Sequence, residues 1–299
     1  MLIEGLSLFI MEKIIYELSL ESLRSYPGAL DILKNILRNL GVKEHQLIEL
    51  KDFDKSFFIL YFNKKKQAQS LTRRLKKLNL KYVILRLKVV KQSEWENKWR
   101  DDFQPFSLTR TFNVVPLELK KKYMTRKTPI YLGAGLAFGT GLHATTRFMA
   151  QFIETCRGHF ETFLDIGTGT GILAIMASKC GAQDIHAIDL NRDVINVAKG
   201  NFKENECHVP FLKAINFSKF NPSQQYDFVA ANLITQDLID FRPKILSLVN
   251  PGKYLAVSGI SLHNYARLKT AYQDLPLRCL KIEKKEGWVG ILYQKEGSL

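Results

Sequence analysis

The chain has 299 residues, 46% of them hydrophobic, which suits one large or two ordinary domains and excludes a disordered chain. Its net charge of +15 is uneven: residues 1–130 carry 26 Lys and Arg against 14 Asp and Glu, and residues 131–299 carry 18 against 15. Cys156, Cys180, Cys207 and Cys279 form no CxxC pair, which argues against a zinc knuckle or disulfide scaffold, and no apolar run approaches the ~20 residues a bilayer demands.

The opening MLIEGLSLFI lacks a basic n-region and a small-residue cleavage site, so no signal peptide is expected, and Met11 offers an alternative start. Residues 11–20 read as a strand, and residues 27–41 as a helix with Pro27 near its start and Gly41 past its end. The runs 45–52 and 56–62, joined by a polar turn, predict a hairpin. Ala68, Leu71, Leu75 and Leu78 lie at helical spacing across 64–79, and 81–90 reads as a strand. The order βαββαβ is that of a small α+β ferredoxin-like domain over residues 1–92. The lysine clusters at 64–66 and 120–122 suit an RNA or acidic protein surface, or simply solvated helix faces. No aromatic platform or RNA-binding motif accompanies them, which favours the second.

From 93 to 130 the chain reads as a linker with a short helix, Trp95 and Trp99 standing four apart on it and Pro105 ending it. Over 131–299 strands are expected at 162–166, 184–189, 209–215, 226–231, 253–258, 277–283 and 288–294. Helices are expected near 143–157, 171–180, 191–205, 235–248 and 262–274. That alternation implies an α/β domain with a mostly parallel, doubly wound sheet. The turn at Glu286-Gly287 leaves no room for a helix between the last two strands, so the sheet should end in an antiparallel hairpin.

The chemistry concentrates in FLDIGTGTGILAIMASKCGAQDIHAIDLN, residues 163–191. A buried strand ends at Asp165-Ile166, Gly167, Gly169 and Gly171 form a tight loop opening a helix, and the next strand ends in Asp189. An acid there can accept hydrogen bonds from two ribose hydroxyls, so the pair points to an adenosine-containing cofactor. A dinucleotide site wants its third glycine at position 172, where this chain has Ile172. Asp165 has the right charge to meet an ammonium group, directly or through water. Upstream, GAGLAFGTGLHATTRF (133–148) is a glycine loop opening a helix, where Thr145 or Thr146 can cap the helix or offer a hydroxyl to a carboxylate. DFVAANLITQDL (227–238) is a strand ending at Asn232, which should face the crevice at the carboxyl end of the sheet.

F-G-T-G-x-H-x-T-T, D-x-G-x-G-x-G-I-L-A-I and A-N-L-I together resemble the ribosomal protein methyltransferases that modify large-subunit protein eleven, the PrmA family. The resemblance spans most of 93–299, including SGI (258–260) and EGWVGILYQ (286–294). It implies a class I methyltransferase Rossmann-like sheet over 131–299 with an antiparallel C-terminal strand, and a substrate-recognition role for residues 1–92. It also implies S-adenosyl-L-methionine as cofactor, held at Thr146, Gly167, Asp189 and Asn232. The implied partner is large-subunit ribosomal protein eleven as substrate, methylated on lysine side chains or its N-terminus by a cytoplasmic monomer. Neither DNA nor a membrane is expected as a partner, and RNA contact is not required. Leu142, Ala144 and Leu233-Ile234 depart from the family's usual residues beside the transfer site. The same chemistry on another protein's lysine is the alternative. No metal and no catalytic dyad is expected; His143 is a candidate proton acceptor or a loop-ordering residue, and Asn232 a candidate for orienting the amine.

Overall fold

The computed structural model describes residues 14–22, 29–42, 48–52, 55–62, 64–80, 83–91, 103–133 and 138–297. Trp95, Trp99 and the short helix expected around them lie outside these residues. The chain divides into two compact units, residues 1–101 and 102–299.

The first unit contains β1 (Ile14–Ser22), α1 (Ala29–Asn39), β2 (Ile48–Asp52), β3 (Lys55–Phe62), α2 (Lys65–Lys77) and β4 (Val83–Lys91). Its sheet has the order β2-β3-β1-β4, with every neighbouring pair antiparallel. The period-2 pattern of β1 sends Leu18 and Leu20 to one face, where Phe58 and Leu60 of β3 join them. Leu33 and Leu37, four apart on α1, and Leu71 and Leu75, four apart on α2, close that core. Leu78, which the spacing assigned to the same stripe, is instead the C-cap of α2 and half exposed. The helix stops because Asn79 turns into positive φ, at 46°.

The second unit opens with a three-stranded sheet of β5 (Phe106–Ser107), β6 (Phe112–Pro116) and β7 (Thr128–Leu132). Most of these residues fall where the sequence suggested a linker. Lys120–Lys122 hide the signal, but all five residues of β6 are buried. Asn205 braces β7 as a surrogate strand would, accepting from the Tyr131 N–H at 2.8 Å and donating to the Tyr131 carbonyl at 2.6 Å.

The main sheet comprises β8 (Thr162–Ile166), β9 (Asp184–Asp189), β10 (Phe211–Ala214), β11 (Tyr226–Asn232), β12 (Val249–Ser261), β13 (Leu277–Lys285) and β14 (Trp288–Lys295). Its order is β10-β9-β8-β11-β12-β14-β13. The first five strands run parallel, and β14 inserts antiparallel to both of its neighbours, as the missing helix before it required. The helices are α3 (Ala144–Thr155), α4 (Ile172–Lys179), α5 (Arg192–Glu204), α6 (Thr235–Asp240), α7 (Arg242–Ser247) and α8 (Tyr265–Tyr272). The single helix expected at 235–248 is broken at Phe241, because Pro243 lacks the N–H that a continuous helix would use. The chain order reverses between β8 and β11. In an open parallel sheet this switch point, beyond the carboxyl ends of the strands, is where ligands bind.

Candidate active site

The loop after β8 is fixed from beneath by the neighbouring strand. The amides of Gly167 and Thr168 both donate to the Ile188 carbonyl at 2.9 Å, and the Gly169 amide donates to Asp189 Oδ2 at 3.1 Å. Asp189 Oδ1 accepts from the Asn191 amide at 3.0 Å. Its carboxylate is therefore held in one orientation, with lone pairs left over for a further donor.

Gly169 is required by an approach from the other side. The chain there has φ +57°, and a β-carbon would sit on the Phe138 carbonyl oxygen. That carbonyl accepts from the Thr170 amide at 2.9 Å, and Thr170 Oγ1 donates to the Gly139 carbonyl. Two glycine loops, one before α3 and one after β8, are thus clasped together.

The N-terminus of α3 adds the next wall. Its cap is His143 and not Thr145 or Thr146: the Thr145 amide donates to His143 Nδ1. Histidine is an uncommon N-cap, which is why the hydroxyl residues looked the better candidates. Thr145 Oγ1 lies 2.7 Å from the same nitrogen, and Asn232 Nδ2 donates to Thr145 Oγ1 at 3.4 Å. With Nδ1 accepting from the Thr145 amide, the neutral His143 ring is the tautomer protonated on Nε2. Burial lowers the His143 pKa, outweighing the opposite pull of Glu286. Its ring is wedged edge-on between the rings of Phe138 and Trp288 at centroid distances of 5.5 and 4.9 Å.

The fourth wall is the end of β11. Asn232 is half-buried beside Gly167, where a β-carbon would lie 3.9 Å from the Asn232 carbonyl oxygen. The segment after it rests on Gly259, a residue at φ +85° whose β-carbon would collide with the Leu233 carbonyl. The Leu233 amide completes the seat by donating to the Ser258 carbonyl at 3.1 Å. Gly259 sits in SGI, but nothing local tells that the backbone just after β11 lies against it.

Thr146, Gly167, Asp189 and Asn232 therefore lie together at one end of the sheet, linked through Thr145, Gly169 and the contact of Asn232 with Gly167. Two buried polar atoms there have no partner among the described residues. Thr146 Oγ1 is free on a residue 1% exposed, and Asp165 Oδ1 is free on a residue 0% exposed, while Asp165 Oδ2 accepts from Thr168 Oγ1 at 2.8 Å. Orphaned polar atoms are costly in a folded chain and mark places where a ligand completes the bonding. Burial, reinforced by the charge of Asp189, raises Asp165 to a pKa of about 7 against the opposing pull of Thr168 and of the Ala174 backbone N–H, which approaches the carboxyl without closing a hydrogen bond to Oδ1. An unpartnered hydroxyl in the first turn of a helix, a carboxyl wanting positive charge and an oriented acid suit the carboxylate, ammonium and ribose of an amino-acid nucleoside. They do not suit a diphosphate, which would place anions against Asp165. Among the described residues no group of three or more His, Cys, Asp or Glu could hold a metal.

Fold and site together define a class I methyltransferase. The chain belongs to the ribosomal protein L11 methyltransferase (PrmA) family, whose model matches residues 29–296. It is 31% identical over 250 residues to the ribosomal protein L11 methyltransferase of Staphylococcus epidermidis, covering 79% of this chain and 78% of that one. To the Staphylococcus aureus enzyme of the same name, strain RF122, it is 30% identical over 245 residues, with the same coverage. A solved structure of a ribosomal protein L11 methylase from Lactobacillus delbrueckii subsp. bulgaricus superposes with a TM-score of 0.60 at 26% identity. The match covers 65% of this chain and all of that one. The protein is a methyltransferase, and its cofactor is S-adenosyl-L-methionine.

Proposed function

We propose that the protein methylates amino groups of large-subunit ribosomal protein L11, on lysine side chains and its N-terminus. The pair of orphaned atoms, Thr146 Oγ1 and Asp165 Oδ1, carries the proposal, flanking a fixed acid at a sheet switch point in a chain of this family. Thr146 would take the carboxylate of the cofactor's methionine part, Asp165 its ammonium and Asp189 the ribose hydroxyls. Gly167 would leave room for the nucleoside against β11, and Asn232 would face the reacting end. Bound there, the cofactor supplies an electrophilic methyl group on a sulfonium.

The protein's own task is to present a neutral amine in line with that methyl group. At pH 7 a lysine of ordinary pKa is uncharged about once in 10³–10⁴, a cost of about 4–5 kcal/mol. Exclusion of water from the crevice lowers this cost by disfavouring the ammonium, so no strong base is needed. That agrees with His143, whose acceptor nitrogen is already used.

The first unit is the substrate-recognition domain in this proposal, its strand order β2-β3-β1-β4 supporting a ferredoxin-like fold. Among the described residues no helix is long and apolar enough to cross a membrane, and the cytoplasm is where the substrate would be met. Incubating the protein with S-adenosylmethionine and purified L11, followed by intact-mass measurement, tests the proposal. Whole methyl increments on L11 are expected. Labelling of another protein in a whole lysate, with L11 untouched, would move the substrate elsewhere.

A further inference from the structure

We propose that Thr145 and His143 are positioning residues for methyl transfer, acting through Asn232 to hold its carboxamide with the oxygen toward the incoming amine. The proposal rests on the transfer reaction given above, and adds to it a reason for one orientation of the amide.

The direction of each hydrogen bond follows from its neighbour. The backbone N–H of Thr145 points at His143 Nδ1, so this nitrogen carries no proton. The Thr145 hydroxyl, 2.7 Å from the same nitrogen, must then be the donor of that contact. With its only proton committed, Thr145 Oγ1 can do nothing but accept from Asn232, 3.4 Å away. The carboxamide must therefore offer its NH₂ group to Thr145. Among the described residues its oxygen takes no hydrogen bond, and it is left for a donor in the crevice.

Orientation decides what an amine meets there. An amide oxygen accepts an N–H from the amine and leaves the nitrogen lone pair to be aimed at the methyl group. A reversed amide would repel the ammonium, and by donating to the lone pair of the neutral amine it would turn that lone pair away from the methyl group. Thr145 is 1% exposed, so water cannot readily substitute for its hydroxyl. His143 is held in turn by the rings of Phe138 and Trp288 on either side. The chain runs from an aromatic wedge, through a helix cap, to the residue at the strand end.

The test compares Thr145→Val with Thr145→Ser in the full chain, measuring kcat and KM for L11 methylation and the Kd of S-adenosylhomocysteine. Valine keeps the shape and removes the hydroxyl; serine keeps the hydroxyl. Thr145→Val should lower kcat tenfold or more with KM and Kd changed less than threefold, and Thr145→Ser should recover kcat to within threefold. If valine disturbs folding, His143→Leu and His143→Asn carry the same comparison, since an asparagine oxygen can cap the helix and accept the hydroxyl. A valine variant with normal kcat, a serine variant as slow as valine, or a loss confined to Kd would each overturn the positioning role. A wild-type protein that leaves L11 unmethylated would instead remove the proposed function, and this inference with it.

Discussion

The amide of Gly169 donates to Asp189 Oδ2 across 3.1 Å, so the glycine loop of one strand orients the acid that ends the next. The acid is thus a structural part of the loop as well as a group available to a ligand. Asp189→Ala should weaken S-adenosylhomocysteine binding by about 10–100-fold, the range expected when charge-assisted hydrogen bonds are lost. Asp189→Asn, which keeps one acceptor, should lose less. Calorimetric titration of the two variants checks the order, and equal losses would contradict the dual role.

Gly259 supports the segment that carries Asn232. At φ +85° and with the Leu233 carbonyl pressed against it, Gly259 has no room for a side chain. Gly259→Ala should destabilise the fold by about 2 kcal/mol or more, through backbone strain and displacement of Leu233. It should also reduce kcat more than it raises the Kd of S-adenosylhomocysteine. Thermal melts and steady-state kinetics together check this, and an alanine variant as stable and as fast as wild type would remove the seat from the account.

Asp165 makes cofactor binding and stability depend on pH in a defined direction. Its pKa in the folded chain, about 7, lies above that of an unfolded aspartate at about 3.9. The folded state thus holds this proton more tightly, so this group costs the ligand-free protein nothing below the unfolded value. The cost grows as pH rises from about 4 and is complete above about 7. An ammonium brought by the ligand favours the carboxylate, so affinity for S-adenosylhomocysteine should climb with pH and level off above about 7. Asp165→Asn should flatten both curves. A ligand affinity that is pH-independent in the wild type would exclude Asp165 as the ammonium's partner.

The cysteines should separate by burial. Cys156, Cys180 and Cys207 are buried and Cys279 is exposed; burial raises Cys156 to a pKa of about 12 and Cys180 to about 11. A thiolate-directed reagent at pH 8 should therefore modify Cys279 first in the native protein and all four cysteines after denaturation. Peptide mapping of the labelled chain reads the result, and early modification of Cys156 would show that the α3 region opens readily.

What the sequence discloses depends on how local the cause is. The spacing of Gly167, Gly169, Gly171 and Asp189 is a property of one strand–loop–helix–strand unit, and it marks both the loop and the acid bonded to it. Asn232 is legible because a strand end in a parallel sheet must face the crevice. The cap at His143 is not, because hydroxyl residues beside it satisfy the usual preference better. The clasp of Phe138 on Gly169 and the seat of Leu233 on Gly259 join residues about 30 positions apart, and no periodicity reports such an approach. β6 is missed for a different reason: five buried residues are too few to outweigh the lysines that follow them.

The crevice beyond Asp165 should accept a sulfonium nucleoside and reject a dinucleotide. Titration calorimetry of the intact protein with S-adenosylhomocysteine and, separately, with NAD distinguishes the two ligands. Saturable heat from the first and none from the second is the expected result. Tight binding of NAD with no heat from S-adenosylhomocysteine would contradict it.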